Sequence, residues 1–412
     1  MSTLSEHTGN GNPPATRLQR EDTKAQLDGV LQHFDVLPSR FDQFLFKYIY
    51  VFLIGLFVPL ESYNIFTLLS MNTQIGGVLL QGVGLNVPPI VVTILVIWRF
   101  NAWRVRTPHT LRDLWEHKRI SIPGGDTGTS YLRFLEQYRD ALASPNRYFL
   151  CGFLMIVISI PFAYFIVLNL AMGGPTIFVT AGVVVNLLYM CLFLGAFYCN
   201  GILTWAMFVS GWYIRKLVRA FQLSIQPFHP DECGGLRLLG NFCFGLASPP
   251  LIGSGLLIGY SIFALFEYSP AIYPNSVAYL VLFVYFPLLS ALLFGLPEIV
   301  FNFILPLQDI HRKMVSAGRT NEHRYFTRTE ALREEIQALL AVNLVEAARA
   351  VQEKRHLVET LYAPYPTWPF HVRSKISKTV LEVSGSLLLG LITAAIVQYS
   401  LPAIIILFFH IP

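Results

Sequence analysis

The sequence predicts an all-α polytopic transmembrane helical bundle of about seven spans, and three observations predict it. Of the 412 residues, 54% are hydrophobic and only 13% are charged, where a soluble domain carries roughly 25% charge. Several apolar runs exceed the roughly 18 residues that read as a membrane-crossing helix. These runs are continuous and do not alternate, which argues against a β-barrel. The third observation is the distribution of the 30 Lys and Arg residues, which fall in blocks separated by uncharged connectors.

Residues 1–43 form a polar, cytosolic N-terminal leader with Gly-Asn-Gly-Asn-Pro-Pro near its start and no early apolar region of a secretory signal. It reads as disordered, with one short helix around 19–34. Residues 44–98 hold the first two spans, 44–69 and 78–98. Pro59 and Glu61 break the character of the first, and Pro88-Pro89 lie in the second. Residues 99–147 form a cytosolic helical loop with amphipathic pieces at 110–119 and 131–142. The Gly-rich turn between them lacks the GxxxxGK[ST] spacing of a phosphate loop and reads as a plain connection.

Residues 148–214 hold the third span and a long fourth one, joined at Gly173-Gly174-Pro175. From 176 to 214 no charged side chain occurs over 39 residues. That is about 58 Å of helix at 1.5 Å per residue, against a hydrocarbon core of roughly 30 Å. The run is expected to cross once and project into the cytosol; a tilted helix or a re-entrant piece near Asn200-Gly201 are the other solutions. A turn-rich cytosolic loop follows at 215–238. Spans five and six occupy 239–305, the fifth interrupted by Pro249-Pro250. A cytosolic helical segment covers 306–378, and 379–412 is the seventh span.

Charge sets the sidedness. With the N-terminus inside, Lys and Arg number 5 before or at the first span, 9 in 99–147, 4 in 215–237 and 12 in 312–378, and the connectors at 70–77, 171–175 and 268–276 contain none. This is the asymmetry of the positive-inside rule. Splitting 176–214 into two crossings would put the 16 downstream basic residues outside. The C-terminus is therefore expected outside, and the protein in the cell membrane as a multi-pass chain.

In the cytosolic layer, 327–361 reads as one long helix. Thr327-Arg328-Thr329-Glu330 has the form of a capping box. Leu332, Ile336, Leu339, Leu340, Leu344, Ala347 and Val351 follow as a helical stripe, suited to packing on other cytosolic helices or to a short oligomer coil. The Pro- and aromatic-rich segment 362–370 is an extended hinge at the headgroup layer, leading into the last span.

Intramembrane ionisable groups are the first place to look for function. Glu61, Glu298 and, one turn after it, Asn302 are the candidates, with Glu382 in the first turn of the last helix. Glu298 is either an interface carboxylate on a helix that continues into the cytosol or an ion or proton site on a polar path. The last span carries Ser386, Gly390, Thr393, Ala394 and Gln398 as a small polar stripe, either a packing face or the wall of a pore formed where copies meet. Gly255 and Gly259 form a GxxxG packing face in span five.

His229, Asp231 and Cys233 have metal-ligating side chains, but zinc takes about four ligands, usually from two separated segments. No second cluster matches, although His311 and His323 are further imidazoles. A turn started by Pro230-Asp231 and completed by Gly234-Gly235 is the preferred reading. The five cysteines contain no CxxC pair and read as small buried hydrophobes. No HExxH, GxSxG or dinucleotide fingerprint is present, so neither enzyme activity nor a cofactor is expected. The spread basic residues suit anionic lipid headgroups and not nucleic acid.

The loop Pro230-Asp231-Glu232-Cys233-Gly234-Gly235-Leu236, together with Pro366-Thr367-Trp368-Pro369-Phe370, resembles motifs in uncharacterised bacterial multi-span proteins, a resemblance that implies no activity. Seven helices with the N-terminus inside and the C-terminus outside are similar in topology to the insect odorant and gustatory receptor channels. That resemblance implies a homo-oligomer around a pore lined by the last helix. The signature of that helix differs here, since Thr393 to Tyr399 has a shorter spacing. The expectation is an oligomeric ion channel or permeation pathway lined by the last helix. The alternative is a non-conducting membrane receptor or scaffold that engages a cytosolic protein partner.

Overall fold

The computed structural model describes residues 17–71, 73–122, 126–156, 176–226, 229–267, 285, 288–289, 291–360, 362 and 366–369. Helix α1 is Arg17–Gln32, α2 Arg40–Met71, α3 Thr73–Glu116 and α4 Thr127–Leu142. A helix α5 is described over 146–156. Helix α6 is Thr176–Ala220 and α7 Arg237–Glu267. Helix α8 is continuous from Ala291 to Ala341, and α9 is Val345–Thr360. Two two-residue strands, β1 Ile120–Ser121 and β2 Gln222–Leu223, pair antiparallel.

Among the described residues four helical stretches are long and apolar enough to cross a membrane: Arg40–Leu60, Met190–Ala220, Arg237–Gly259 and the apolar part of Ala291–Ala341. The run without charge at 176–214 lies within one helix of 45 residues, Thr176–Ala220. Helix α2 shows how such an element is organised. Its Phe46, Ile49, Leu53, Phe57 and Leu60 are buried at helical spacing, whereas Phe44, Val51, Ile54 and Val58 on another face are exposed. An element apolar on its packed and its open faces alike has the composition of a helix that meets lipid.

Contacts along the helices give their relative directions. Trp103 packs on Phe242, while Arg99 Nε donates to Ser248 Oγ at 2.9 Å, so α3 runs antiparallel to α7. Helix α2 is antiparallel to α6, since Tyr198 donates to Asp42 at 2.9 Å and Phe52 lies against Gly195. Helices α6 and α8 are parallel: Phe208 meets Phe301 and Arg215 bonds Asp309 at 3.0 Å. Helices α7 and α8 are antiparallel, with Ser254 beside Gly295 and Phe244 against Phe303. The successive helices α6, α7 and α8 therefore alternate in direction.

Several expectations are corrected. The prolines do not interrupt their helices: α2 runs through Pro59, α3 through 88–89 and α7 through Pro249 and Pro250. Neighbouring helices tolerate the lost backbone bonds in such an apolar setting. The amphipathic piece at 110–119 is not separate, because α3 continues from the apolar layer to Glu116. Residues 17–43 are not all leader: Leu27 and Leu31 of α1 and Asp42 are fully buried or nearly so. Helix α1 and Phe34 after it pack into an aromatic core with Tyr131, Phe134 and Tyr138 of α4 and Tyr213 and Phe221 near the end of α6.

The capping box is also absent. Thr327 sits in the middle of α8, and its hydroxyl bonds the His323 carbonyl at 2.9 Å. The helix expected at 327–361 breaks at Asn343, whose φ is +58°, so that α8 and α9 form a hairpin. Leu332 and Ala348 are buried between its arms, and Leu340, Val342, Leu344 and Val345 are exposed at its tip. The stripe therefore packs within the chain at one end and stays bare at the other. Cys151, Cys199, Cys233 and Cys243 are buried, but Cys191 is exposed.

Candidate functional site

The most distinctive geometry lies on the apolar stretch of α8. Two π-helical turns, Ala291–Gly295 and Val300–Ile304, flank a single α-turn, Leu296–Ile299. Pro297 in that turn lacks an N–H and crowds the preceding carbonyls, a local reason for widened turns. Widened turns of this kind occur often at functional sites. Here they bracket Glu298, which is 9% exposed, and they carry Asn302, which is 0% exposed.

Two close helix approaches hold the pair in place. A Cβ on Gly211 of α6 would collide with the Asn302 amide and lie 3.0 Å from Asn302 Cα. A Cβ on Gly295 would collide with the Ser254 hydroxyl of α7. Glu298 receives a hydrogen bond from the Thr204 side chain of α6. Among the described residues its Oε1, and both Oδ1 and Nδ2 of Asn302, have no hydrogen-bond partner although all three atoms are buried. Unsatisfied buried polar atoms cost about 1–3 kcal/mol each, and more when charged. Three of them within one turn of one helix require an account in terms of what they meet.

One end of the bundle is polar, and there the loop flagged in the sequence folds on itself. Asp231 accepts backbone N–H groups from Cys233 at 2.9 Å, Gly235 at 2.9 Å and Arg237 at 3.3 Å. Burial opposes ionisation of Asp231, but these bonds, together with its contact to His229, hold its pKa below the usual aspartate value. Gly234 and Gly235 adopt φ of +67° and +83°, which non-glycine residues rarely reach. His229 Nδ1 lies 2.7 Å from Asp231 Oδ1, and its Nε2 lies 2.7 Å from Arg119 Nη2. The imidazole thus links a carboxylate to a guanidinium, and Arg119 packs over Gly235.

The second flagged stretch closes on the first. Pro366 lies against Gly234, where a Cβ would sit 3.1 Å from Pro366 Cγ. His311 of α8 stacks on Trp368 at 4.1 Å and its Nδ1 is 2.7 Å from the Thr367 carbonyl. The loop and the hinge, 130 residues apart in order of magnitude, therefore form one junction. His229, Asp231 and Cys233 serve this turn. Among the described residues no group of three His, Cys, Asp or Glu side chains is arranged to hold a metal.

Of the other sequence candidates, Glu61 falls in α2, and its side chain lies outside the described residues, as do Ser386, Gly390, Thr393, Ala394, Gln398 and Glu382. Sequence reasoning singled out Glu298 and Asn302 but missed Thr204, Gly211 and Ser254. Each is a small residue in an apolar run with no charge to mark it, and only the helix pairing brings them to α8. Arg119 was also missed as the partner of His229.

Fold and site together define a helical chain with membrane-length helices and a buried polar cluster between three of them. Comparisons with family models, with curated proteins and with solved structures found no match for the chain.

Proposed function

We propose that the chain is a seven-pass protein of the cell membrane, N-terminus in the cytosol and C-terminus outside, that carries a small ion across the bilayer. The observation behind this reading is the Glu298–Asn302 pair, a carboxylate and an amide buried in a membrane-length helix with three polar atoms unpaired among the described residues. An ionisable group at such a position is expensive and is retained where it lines a path or binds what passes. Alternating helix directions and the gathering of Lys and Arg at one end of the bundle support the topology. The lipid bilayer is the first partner on this reading, with anionic headgroups against the basic end.

This moves the chemistry from the last helix to α8. A homo-oligomer whose final helices line a shared pore is the other form of the same function, with Gly390 and Gln398 on the pore wall. Gly390→Leu or Gln398→Leu lowers conductance if that form holds and leaves it unchanged if ions pass beside Glu298. The second reading, a non-conducting receptor or scaffold, is favoured by the exposed apolar tip of the α8–α9 hairpin. Reconstitution decides between the two. The purified chain in liposomes carries ion flux if the proposal is right. A scaffold carries none, and loses its cytosolic partner when Ile336 and Leu340 are made polar.

A further inference from the structure

The donor set around Glu298 has a chemistry that narrows the ion. Among the described residues it contains one carboxylate oxygen without a partner, one amide oxygen without a partner, and the Thr204 hydroxyl already on the same carboxylate. Glu298 and Asn302 sit one helical turn apart and neither bonds the other. Two buried oxygens without partners, four residues apart on one helix, are suited to share one ligand. We propose that they form a binding site for one monovalent, oxygen-liganded cation of the Na⁺ class, with Glu298 Oε1 and Asn302 Oδ1 as its side-chain ligands. The inference rests on the transport reading above and adds the identity of the bound species.

Charge matching carries the choice. A buried carboxylate without a counter-charge is strongly disfavoured, and a single cation neutralises it. Among the described residues, Arg215 and Arg219 of α6 bond Asp309, and Arg99 of α3 bonds Ser248. A divalent ion would leave one positive charge buried, since Asn302 is neutral. Divalent hard cations typically collect several carboxylates or keep several waters, and the described residues gather no group of three potential acid, His or Cys ligands. Nitrogen and sulfur donors that would select a transition metal are not among the ligands.

Further neutral oxygens lie near the pair. A Cβ added at Gly211 of α6 would meet both Asn302 Oδ1 and the Phe301 carbonyl, and Ser254 stands against Gly295 at the other widened turn. Thr204 fixes the second oxygen of Glu298, so that Oε1 is the one left to bind. Protons compete with the cation for that carboxylate.

The test is the thermal stability of the full chain in detergent, titrated with NaCl against choline chloride at constant ionic strength and at several pH values. Na⁺ is expected to raise Tm saturably, as a ligand of the folded state must. On acidification its apparent Kd is expected to rise toward a limit of about tenfold per pH unit, the signature of one competing proton. Glu298→Gln abolishes the Na⁺ response while remaining folded, because it removes a buried charge. Asn302→Asp adds a second carboxylate and turns the preference toward Ca²⁺. An unchanged Tm in Na⁺, Li⁺ and K⁺ throughout, or an equal response in Glu298→Gln, overturns the inference. Saturable Na⁺ binding without flux in liposomes sustains the site and removes the transport reading. Flux without any cation-dependent Tm shift does the reverse.

Discussion

At the scale of single residues, small side chains decide where polar ones can be buried. Asn302 occupies the volume that a side chain at Gly211 would need. Gly211→Ala is therefore expected to destabilise the chain by about 1–3 kcal/mol, the usual cost of overpacking. Adding Asn302→Ala to that variant restores part of the loss, because the two substitutions share one space. Thermal unfolding of the single and double variants in detergent measures the coupling, and strictly additive losses would contradict the contact. Asp231 makes a prediction in pH. Its folded pKa lies below the ordinary aspartate value, so its contribution is fully present above that ordinary value and is lost as pH falls through the lower folded one. Hydrogen exchange at the Cys233, Gly235 and Arg237 amides is expected to accelerate in Asp231→Ala near neutral pH, and the gap from wild type to narrow only below pH 3.8. A gap that already closes near neutral pH would contradict this.

At the scale of elements, the α8–α9 hairpin turns on one backbone angle. Asn343 sits at φ +58°, which costs an ordinary L-residue roughly 1–2 kcal/mol and a β-branched one more. Asn343→Gly is expected to leave the hairpin intact, whereas Asn343→Val favours one continuous helix and separates α9 from α8. Limited proteolysis near 342–344 and the distance between labels at 332 and 348 report the difference. The sequence contains the residues of this turn but disguises them. Asn343 lies in a stripe whose helical spacing continues across it, and apolar Val342 and Leu344 replace the Gly or Pro that ordinarily marks a break. The reverse error occurred at Thr327, where a capping-box pattern is overridden by a helix already under way. Local signals of about 1 kcal/mol yield to packing that involves whole helices.

At the scale of the whole molecule, helical class and the apolar stretches were legible in composition and run length, because membrane-length runs are a long-range signal. The buried pair at Glu298 and Asn302 was legible as residue types. Its neighbours Thr204, Gly211 and Ser254 were not, since one sequence gives no pairing of distant helices. The aromatic layer built from α1, α4 and the ends of α3 and α6 was likewise hidden, as its members lie far apart in the chain. The seven-pass proposal makes a direct expectation for accessibility. Single cysteines in a cysteine-free chain, placed in the 171–175 connector, react with a membrane-impermeant reagent in intact cells, and those at 343 react only after lysis. Equal labelling at both would contradict the topology.

The central claim is that an ion passes beside Glu298, and cation uptake into proteoliposomes tests it most directly. Wild type and Glu298→Gln are reconstituted at equal density, with equal folding shown by their unfolding transitions. The account predicts uptake by wild type and a loss of at least about tenfold in Glu298→Gln, the effect of about 1.4 kcal/mol on the path. Equal uptake by the two proteins would contradict it, and so would uptake by neither.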